Sequence, residues 1–175
     1  MHLETARLIL YPMSASQLRQ AMRDLPGVVQ SFGAHMEPPR FWEAWKRRKV
    51  YRAKRAWIEH SPGAWLLTTS WLIVRKSDRM LMGEAGFKGP PSEYDAVEIG
   101  YGINEAHRGQ GIMTEAVGAL CDFAFMQKKH KAALITAFTK PANIASHRVL
   151  EKNGFARVSA GGGLWKWTKH KEEAP

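Results

Sequence analysis

Apolar and polar positions along the chain follow patterns that predict short strands separated by helices. The segment ARLILYP at 6–12 is typical of a strand and is closed by a proline. Ser14 begins a capping box, which predicts a helix from that residue to about Pro26. A second helix is predicted over 41–60, after a loop over 27–39. Its apolar residues recur on one side at helical spacing: Trp42, Val50, Ala53 and Trp57.

The middle of the chain predicts three consecutive strands, over 64–76, 79–89 and 96–103. Strand-forming residues predominate in each segment, and turn residues separate them. Apolar residues then recur at helical spacing, which predicts a helix over 111–128. The short apolar segment 132–138 is typical of a buried strand.

The C-terminal part predicts one helix followed by two strands. Asn143 is suited to cap the start of this helix, and Gly154 is suited to follow its end. The segments ARVSA and LWKWT flank three glycines at 161–163 and are predicted to be strands. Meander strands beside strand–helix–strand connections indicate an α/β fold of α+β character, with a mixed sheet and helices on its faces. The length fits a single domain over 1–175.

The composition is that of a globular protein, with 45% hydrophobic residues. No apolar run reaches the roughly 18 residues of a membrane span, so no membrane association is predicted. The N-terminus lacks the pattern of a secretion signal, and the single cysteine, Cys121, excludes an internal disulfide. These features favour the cytoplasm. The histidines and the cysteine show no metal-ligand spacing, so no metal site is predicted.

The charge changes the choice of partners. The net charge is +10, which favours nucleic acid, an anionic membrane surface or a polyanionic cofactor. Seven of the ten residues from Lys46 to Arg55 are basic. This segment is suited to follow phosphates, but the pattern favours a solvated helix face whose long side chains cover apolar neighbours.

The turn RGQGIMT at 108–114 carries the most specific chemistry. It lacks the Lys-Ser/Thr of a Walker A loop, and Thr114 stands where the dinucleotide fingerprint needs its last glycine. An anion cradle fits better, because the first N–H groups of a helix have no partner within the helix. Gly109 and Gly111 would let an anion approach, and Arg108 would add a charged hydrogen bond. The alternative is a glycine-rich connector.

Two motifs, in order, resemble the GNAT superfamily of N-acetyltransferases. The second motif, NIASHRVLEKNGF at 143–155, looks like the family's Asn-x-x-Ser…Leu-Glu-Lys-x-Gly-Phe segment. The opening LETARLILYP is similar to the RimJ/RimL branch, and the resemblance covers nearly the whole chain. Met113 departs from the first motif, which has Gly or Ala there. That motif, R/Q-x-x-G-x-G/A, corresponds here to Arg108, Gly109, Gln110, Gly111, Ile112 and Met113.

The resemblance implies a mostly antiparallel, twisted sheet of about six or seven strands with about four helices, splayed near the cofactor. It implies acetyl-CoA as the cofactor. The backbone of the turn would hold the pyrophosphate, and the third predicted strand would pair with pantetheine. Asn143 would bind pantetheine, or would only cap its helix. The implied cofactor-binding residues are Tyr101, Ile103, Arg108, Gly109, Gln110, Gly111, Ile112, Met113, Thr114, Asn143 and Ser146.

Acetyl transfer to an amine needs a neutral nucleophile, so a general base is useful. Glu98 and Glu84 lie on adjacent predicted strands and are the candidate bases, with a surface carboxylate as the alternative for each. His107 and His147 are further candidates. The resemblance implies that Ser146 acts as the acid for the CoA thiolate. Its alternative is an ordinary first-turn position in the last predicted helix.

The predicted function is acetyl-CoA-dependent N-acetyl transfer, directly in a ternary complex, to a primary amine. The acceptor would be a protein N-terminus or a small amine, and ribosome association is a weaker expectation. Two alternatives stay open: a basic RNA- or ribosome-associated binding module on the same fold, and an acyl-CoA sensor without turnover. The sequence is compatible with either a monomer or a homodimer.

Overall fold

The computed structural model describes residues 1–37, 44–92, 95–127 and 132–172. Trp42 and the first residues of the helix predicted over 41–60 lie outside these ranges. The strands are β1 (Leu3–Glu4), β2 (Leu8–Pro12), β3 (Trp71–Arg75), β4 (Leu81–Phe87), β5 (Ala96–Ile103), β6 (Leu134–Thr139), β7 (Ala156–Gly161) and β8 (Leu164–His170). The helices are α1 (Ala15–Ala21), α2 (Leu25–Ser31), α3 (Ala44–His60), α4 (Trp65–Thr68), α5 (Ile112–Met126) and α6 (Ile144–Lys152).

The described strands form one sheet in the order β1-β2-β3-β4-β5-β6-β8-β7. Only β5 and β6 are parallel, and every other neighbouring pair is antiparallel. The predicted mixed, mostly antiparallel sheet is therefore confirmed. The described residues contain eight strands, somewhat more than expected, because the two-residue β1 pairs with β2.

The described residues form six helices where about four were expected, because two short ones were missed. The capping box at Ser14 is present and begins α1. This helix ends at Ala21, before the predicted end near Pro26. Asp24 then caps α2, and Pro26 lies in the first turn of that helix, where a missing N–H costs nothing. The region 27–39 is thus helical in its first part rather than a loop.

The strand predicted over 64–76 begins only at Trp71. Pro62–Ala64 instead form a 3₁₀ turn, and the short helix α4 follows at Trp65–Thr68. Local contacts stabilise this arrangement, since Thr68 Oγ1 donates to the Trp65 carbonyl (3.2 Å) and Trp71 Nε1 donates to the Leu66 carbonyl (3.1 Å). An apolar run this short does not distinguish a buried helix from a strand.

The sheet is covered on both faces by buried apolar residues. Trp71 and Ile73 of β3 pack in the core that contains α5, whereas Leu72 and Val74 pack in the core that contains α1 and α2. This division follows from the alternation of side chains along a strand. No helix in the described ranges is both long and apolar enough to cross a membrane.

Two irregularities of the sheet position the functional residues. The register between β3 and β4 shifts between Ile73 and Val74, which is a β-bulge. The parallel pairing of β5 with β6 covers only Ala96 to Glu98, whereas β5 remains paired with β4 as far as Ile103. Beyond Glu98 the β6-facing edge of β5 is therefore open, which confirms the predicted splay.

Candidate active site

The turn before α5 has the geometry of an anion cradle. Gly109 and Gly111 have φ of 78° and 73°, in the left-handed region that favours glycine. The first helical bond at this end runs from the Glu115 N–H to the Gly111 carbonyl (3.1 Å), and no side chain caps the helix. The N–H groups of residues 112–114 therefore point out of the helix N-terminus, where they and the helix dipole favour an anion.

A contact with the N-terminal segment braces this turn. Arg7 donates from Nε to Glu115 Oε2 (2.7 Å) and from Nη1 to the Gln110 carbonyl (2.9 Å). Burial raises the pKa of Glu115, but hydrogen bonds from Thr5 and Arg7 outweigh burial and leave that pKa below its usual value. Sequence patterns did not indicate this brace, because its partners lie about one hundred positions apart.

A cleft of about 540 Å³ lies along the open edge of β5. All of the predicted cofactor-binding residues line it: Tyr101, Ile103, Arg108, Gly109, Gln110, Gly111, Ile112, Met113, Thr114, Asn143 and Ser146. Two basic residues that sequence analysis missed also contribute, since Arg148 and Lys152 line the same cleft, as does the candidate base His107. Arg148 and Lys152 lie four residues apart on α6 and so share one face of that helix, a spacing that could have indicated them.

The departure from the first motif does not obstruct the cleft. Met113 is buried in the core around α5, with 5% of its surface exposed. Its backbone still belongs to the helix N-terminus that faces the anion cradle. A larger side chain is therefore accommodated on the core side of the turn.

Asn143 and Ser146 lie at the start of α6 and also line the cleft, so their placement is compatible with both alternatives considered for them. The Asn143 Oδ1 accepts from the Ser146 N–H (3.2 Å), so Asn143 is the helix cap, and both residues line the cleft. The amide of Asn143 retains its NH₂ donors for another partner. Across the cleft, the Tyr101 hydroxyl donates to the Ser146 carbonyl (3.2 Å), and burial raises the pKa of Tyr101.

A second cavity, of about 270 Å³, lies on the other face of the sheet. We call it the α3 cavity. It is lined by Lys49, Val50, Ala53, Lys54, Trp57, Ser70, Glu84, Ala85, Gly86, Lys88 and Gly100. Gly100 and Tyr101 are consecutive on β5, and successive positions of a strand face opposite sides. The α3 cavity and the cleft therefore lie on opposite sides of β5 at these two residues.

Glu84 is the carboxyl group of the α3 cavity and is 1% exposed. Its Oε1 accepts a hydrogen bond from the Tyr51 hydroxyl, whereas Oε2 has no partner among the described residues. Burial raises the pKa of Glu84 to about 7, against the lowering effects of the Tyr51 hydrogen bond and of the Arg47 and Lys54 charges. A carboxyl group with this pKa exchanges a proton near neutral pH.

Lys54 lies in the same cavity and is 5% exposed. Its Nζ donates to the carbonyls of Thr69 (2.9 Å) and Phe87 (2.7 Å). Burial lowers its pKa to about 7, while Glu84 raises it and Lys88 lowers it. The solvated-face interpretation of the basic helix is therefore wrong for this residue.

Other basic residues of α3 do face solvent. They line a groove of about 500 Å³ together with α1. The groove is formed by Arg19, Met22, Arg23, Arg48, Arg52 and Arg55. Within the basic segment 46–55, Arg48 and Arg52 are exposed, as the solvated-face interpretation predicts, whereas Arg55 is half-buried.

Glu98 differs from Glu84 in both pairing and exposure. Its side chain is 27% exposed and forms an ion pair with Lys88. Glu98 lines neither the cleft nor the α3 cavity. Its surroundings match the surface carboxylate that was the alternative for both candidate bases.

The two histidines also differ. The His147 ring stacks on Trp165 with centroids 4.6 Å apart, and its Nε2 lies 3.1 Å from the Lys140 carbonyl oxygen. His107 lines the cleft and is 8% exposed, and its Nε2 has no partner in the described part of the chain. Neither histidine lines the α3 cavity. In the same ranges, no group of three or more His, Cys, Asp or Glu residues is arranged to hold a metal.

A splayed mixed sheet with an uncapped helix N-terminus at the splay is the arrangement expected of a GNAT acetyltransferase. The family model described as an acetyltransferase (GNAT) domain matches residues 7–156, and the chain belongs to this family. The family expected from the two sequence motifs is thus confirmed.

Relatives agree with this assignment. The chain is 37% identical over 86 residues, 49% of its own length, to a Bacillus subtilis (strain 168) protein named uncharacterized N-acetyltransferase YjdG. The matched part is about half of that protein, and the chain spans half or less of the curated relatives that it matches.

Solved structures share the fold over nearly the whole chain. A GNAT-family acetyltransferase from Bacillus anthracis has a TM-score of 0.64 at 18% identity, covering 99% of this chain and 100% of that one. RimL, a ribosomal L7/L12 α-N-protein acetyltransferase solved in complex with coenzyme A, has a TM-score of 0.60 at 18% identity, covering 97% and 98%. At these identities the likeness concerns the fold.

Proposed function

We propose that the protein is an acetyl-CoA-dependent N-acetyltransferase that moves an acetyl group to a primary amine. The observation that carries this proposal is that two cavities are lined by consecutive residues of β5, one by Tyr101 and the other by Gly100. One offers an anion cradle and an open strand edge, and the other offers a buried carboxyl group with a raised pKa. A donor and an acceptor bound on opposite sides of one strand would react directly in a ternary complex.

The cleft fits acetyl-CoA, which would supply the acetyl thioester. The N–H groups at the start of α5 would bind the pyrophosphate. Arg108, Arg148 and Lys152 would add positive charge, which suits the phosphates of CoA. The unpaired edge of β5 from Ile99 to Ile103 would offer backbone groups to the amides of pantetheine.

The acceptor amine would occupy the α3 cavity next to Glu84. The amine nitrogen would form a bond to the acetyl carbon as the carbon–sulfur bond breaks. Glu84 Oε2 would take the amine proton, while the Tyr51 hydroxyl holds Oε1 in place. Glu84 is the better supported of the two candidate bases, because Glu98 is paired with Lys88 and lies outside both cavities.

Ser146 would return a proton to the departing sulfur. It lines the cleft at the first turn of α6, opposite Tyr101. This role follows from the family resemblance, and the position of Ser146 in the cleft supports it. The acceptor could be a small amine or a protein N-terminus, and relatives named as ribosomal-protein acetyltransferases make a protein acceptor a reasonable alternative.

The experiment measures acetyl-CoA binding by calorimetry and thiol release with a panel of small amines and peptide N-termini. We expect acetyl-CoA to bind and at least one primary amine to release free CoA in proportion to acetylated product. Absence of acetyl-CoA binding would overturn the proposal. Binding without thiol release from any amine would favour the sensor alternative.

The arginine groove between α1 and α3 supports a second candidate, a basic binding module. Arg19, Arg23 and Arg52 have no ion-pair partner among the described residues, so their charges are available to an anion. Retention of RNA that weakens with salt, without acetyl-CoA binding, would favour this function over acetyl transfer. We place it second because it makes no use of the cleft or of Glu84.

A further inference from the structure

The α3 cavity carries charges of both signs. Among the described residues, Glu84 supplies the one carboxyl group of its lining, and its Oε2 has no partner in the same ranges. Three lysines line the same cavity: Lys49, Lys54 and Lys88. A ligand that fills this space meets a proton acceptor and several ammonium groups.

The lysines have donor capacity left for a ligand. Lys54 uses two of its three ammonium protons on backbone carbonyls. Lys49 is exposed and has no ion pair with any described residue. Lys88 is paired with Glu98, but its side chain is 54% exposed and can reach a second anion.

The rest of the lining is apolar and the space is small. Val50, Ala53, Trp57 and Ala85 contribute hydrocarbon surface. The volume of about 270 Å³ lies just below the range of roughly 300–1,000 Å³ typical of pockets for drug-sized ligands. The cavity therefore suits a small acceptor with an apolar body, or one terminal residue of a chain.

Charge decides what else the acceptor carries. A purely cationic amine, such as a diamine, would be repelled by the lysines that line the cavity. A carboxylate beside the amine would instead accept charge-assisted hydrogen bonds from them. The amine of the same molecule would then lie next to the single carboxyl group, Glu84.

We propose that the acceptor is a primary amine that carries a carboxylate on a small apolar body, as an α-amino acid does. This inference rests on the proposed acetyl transfer and names the acceptor class for the same site. A free amino acid offers this chemistry, and so does the first residue of a chain with an acidic side chain next to it. The lysines hold the carboxylate, and Glu84 receives the amine proton.

The test compares leucine, leucinamide and isoamylamine as acceptors at saturating acetyl-CoA. These three share an apolar body and differ in the carboxylate. We expect kcat/KM for leucine to exceed that for leucinamide by about tenfold or more, as one charged hydrogen bond predicts. Equal or better use of leucinamide or isoamylamine would overturn the inference, although the proposed acetyl transfer would stand.

Two peptide amides separate the sources of the carboxylate. One begins Leu-Asp and the other Leu-Asn. Selective use of Leu-Asp over leucine would place the carboxylate on a protein chain, and the reverse would place it on a free amino acid. Equal use of both peptides at the level of leucine would contradict recognition of any carboxylate.

Substitutions of the cavity lysines then test which residues recognise the carboxylate of the acceptor. Lys49→Gln and Lys88→Gln should each lower the ratio of kcat/KM for leucine to that for leucinamide, mainly through KM for leucine. Lys171→Gln, an exposed lysine after β8, is the matched control and should leave the ratio unchanged. Calorimetric binding of acetyl-CoA checks that each variant is folded. If neither cavity variant changes the ratio, the lysines do not recognise the carboxylate and the inference fails.

Discussion

The cleft and the α3 cavity lie on opposite sides of β5 but are built in different ways. The cleft draws on backbone groups of one turn and one strand edge, with side chains from the nearby helix α6. The α3 cavity draws on side chains of α3, β4 and β5, from Lys49 to Gly100. Local sequence motifs describe the first kind of site well, because a turn and the helix after it are contiguous in the chain. The second kind depends on packing between distant segments.

The strongest test of this comparison is Glu84→Gln, which removes the proton acceptor of the α3 cavity and keeps its shape. We expect kcat to fall by about 10²–10⁴-fold, the usual contribution of a general base. KM for acetyl-CoA should change little, because Glu84 does not line the cleft. Steady-state kinetics and acetyl-CoA calorimetry measure the two effects separately.

Glu98→Gln is the matched variant on the neighbouring strand. Because Glu98 is partly exposed and paired with Lys88, we expect a change in kcat of no more than about threefold, as for other surface ion pairs. A loss in Glu98→Gln that equals or exceeds that in Glu84→Gln would reverse the assignment of the base.

The cleft is tested next by Gly111→Ala. Gly111 has φ of 73°, where a residue with Cβ costs about 1–2 kcal/mol. We expect KM for acetyl-CoA to rise by up to about tenfold, since the turn would move to relieve this strain. The effect on acceptor KM should be small.

Gly163→Ala is its control, because Gly163 has φ of 74° in the turn between β7 and β8. Gly163→Ala should lower the melting temperature about as much as Gly111→Ala does, since both positions have a positive φ. It should leave KM for acetyl-CoA unchanged. If both variants change acetyl-CoA affinity equally, the anion-cradle role of Gly111 is not supported.

A smaller effect is expected for Tyr51→Phe, which removes one hydrogen bond within the α3 cavity. That bond lowers the pKa of Glu84, so its loss should raise the pKa further above about 7. Because the base must be ionised, the rise of kcat/KM with pH should move to higher pH. A pH profile that stays in place, or moves to lower pH, would argue against Glu84 as the titrating base.

The last expected effect is on protein stability, and it compares the wild type with Lys54→Met. Burial lowers the pKa of Lys54 to about 7, so the folded state loses a proton at lower pH than the unfolded chain, whose value is near 10.5. The contribution of Lys54 to the free energy of unfolding is then fully present above pH 10.5 and is lost as pH falls to about 7. We therefore expect the free energy of unfolding of the wild type to rise relative to that of Lys54→Met as the pH increases from about 7 to 10.5.

Chemical denaturation at several pH values measures this difference. If the difference in free energy of unfolding between the two proteins does not change with pH, burial does not lower the pKa of Lys54 in the folded state. The variant itself should fold, because an apolar side chain of similar length replaces a buried charge.

Much of the architecture follows from patterns in the sequence. The order of the major strands and helices, the mixed sheet and the ends of α6 were predicted from spacing and capping residues. Two elements were predicted wrongly for physical reasons. Pro26 indicates a helix end from the sequence, but proline is also favoured in a first turn, where the structure has it. The first part of the strand predicted over 64–76 is helical, because a short buried segment suits a helix equally.

The candidate site also contains residues that sequence patterns predicted and residues that they missed. Motif residues such as Gly109 and Asn143 were found because each binds or caps through a local arrangement. Lys54 was missed because it is one of seven basic residues among the ten from Lys46 to Arg55, which suggested a solvated helix face. One signal was present, since Lys54 lies four residues after Val50 and next to Ala53, on the side predicted to be apolar.

The sequence alone specifies the family, the glycine-containing turn before α5 and the residues along the cleft, because these are encoded by short-range patterns of glycine, polar caps and strand formers. Only the tertiary structure decides the acceptor side. The β-bulge opposite Ile73 breaks the alternation of β4, so that Met82 packs in the core around α5 while Glu84 faces Tyr51 of α3. A strict two-residue period would place Met82 and Glu84 on one face. Long-range strand register therefore determines which carboxyl group enters the cavity.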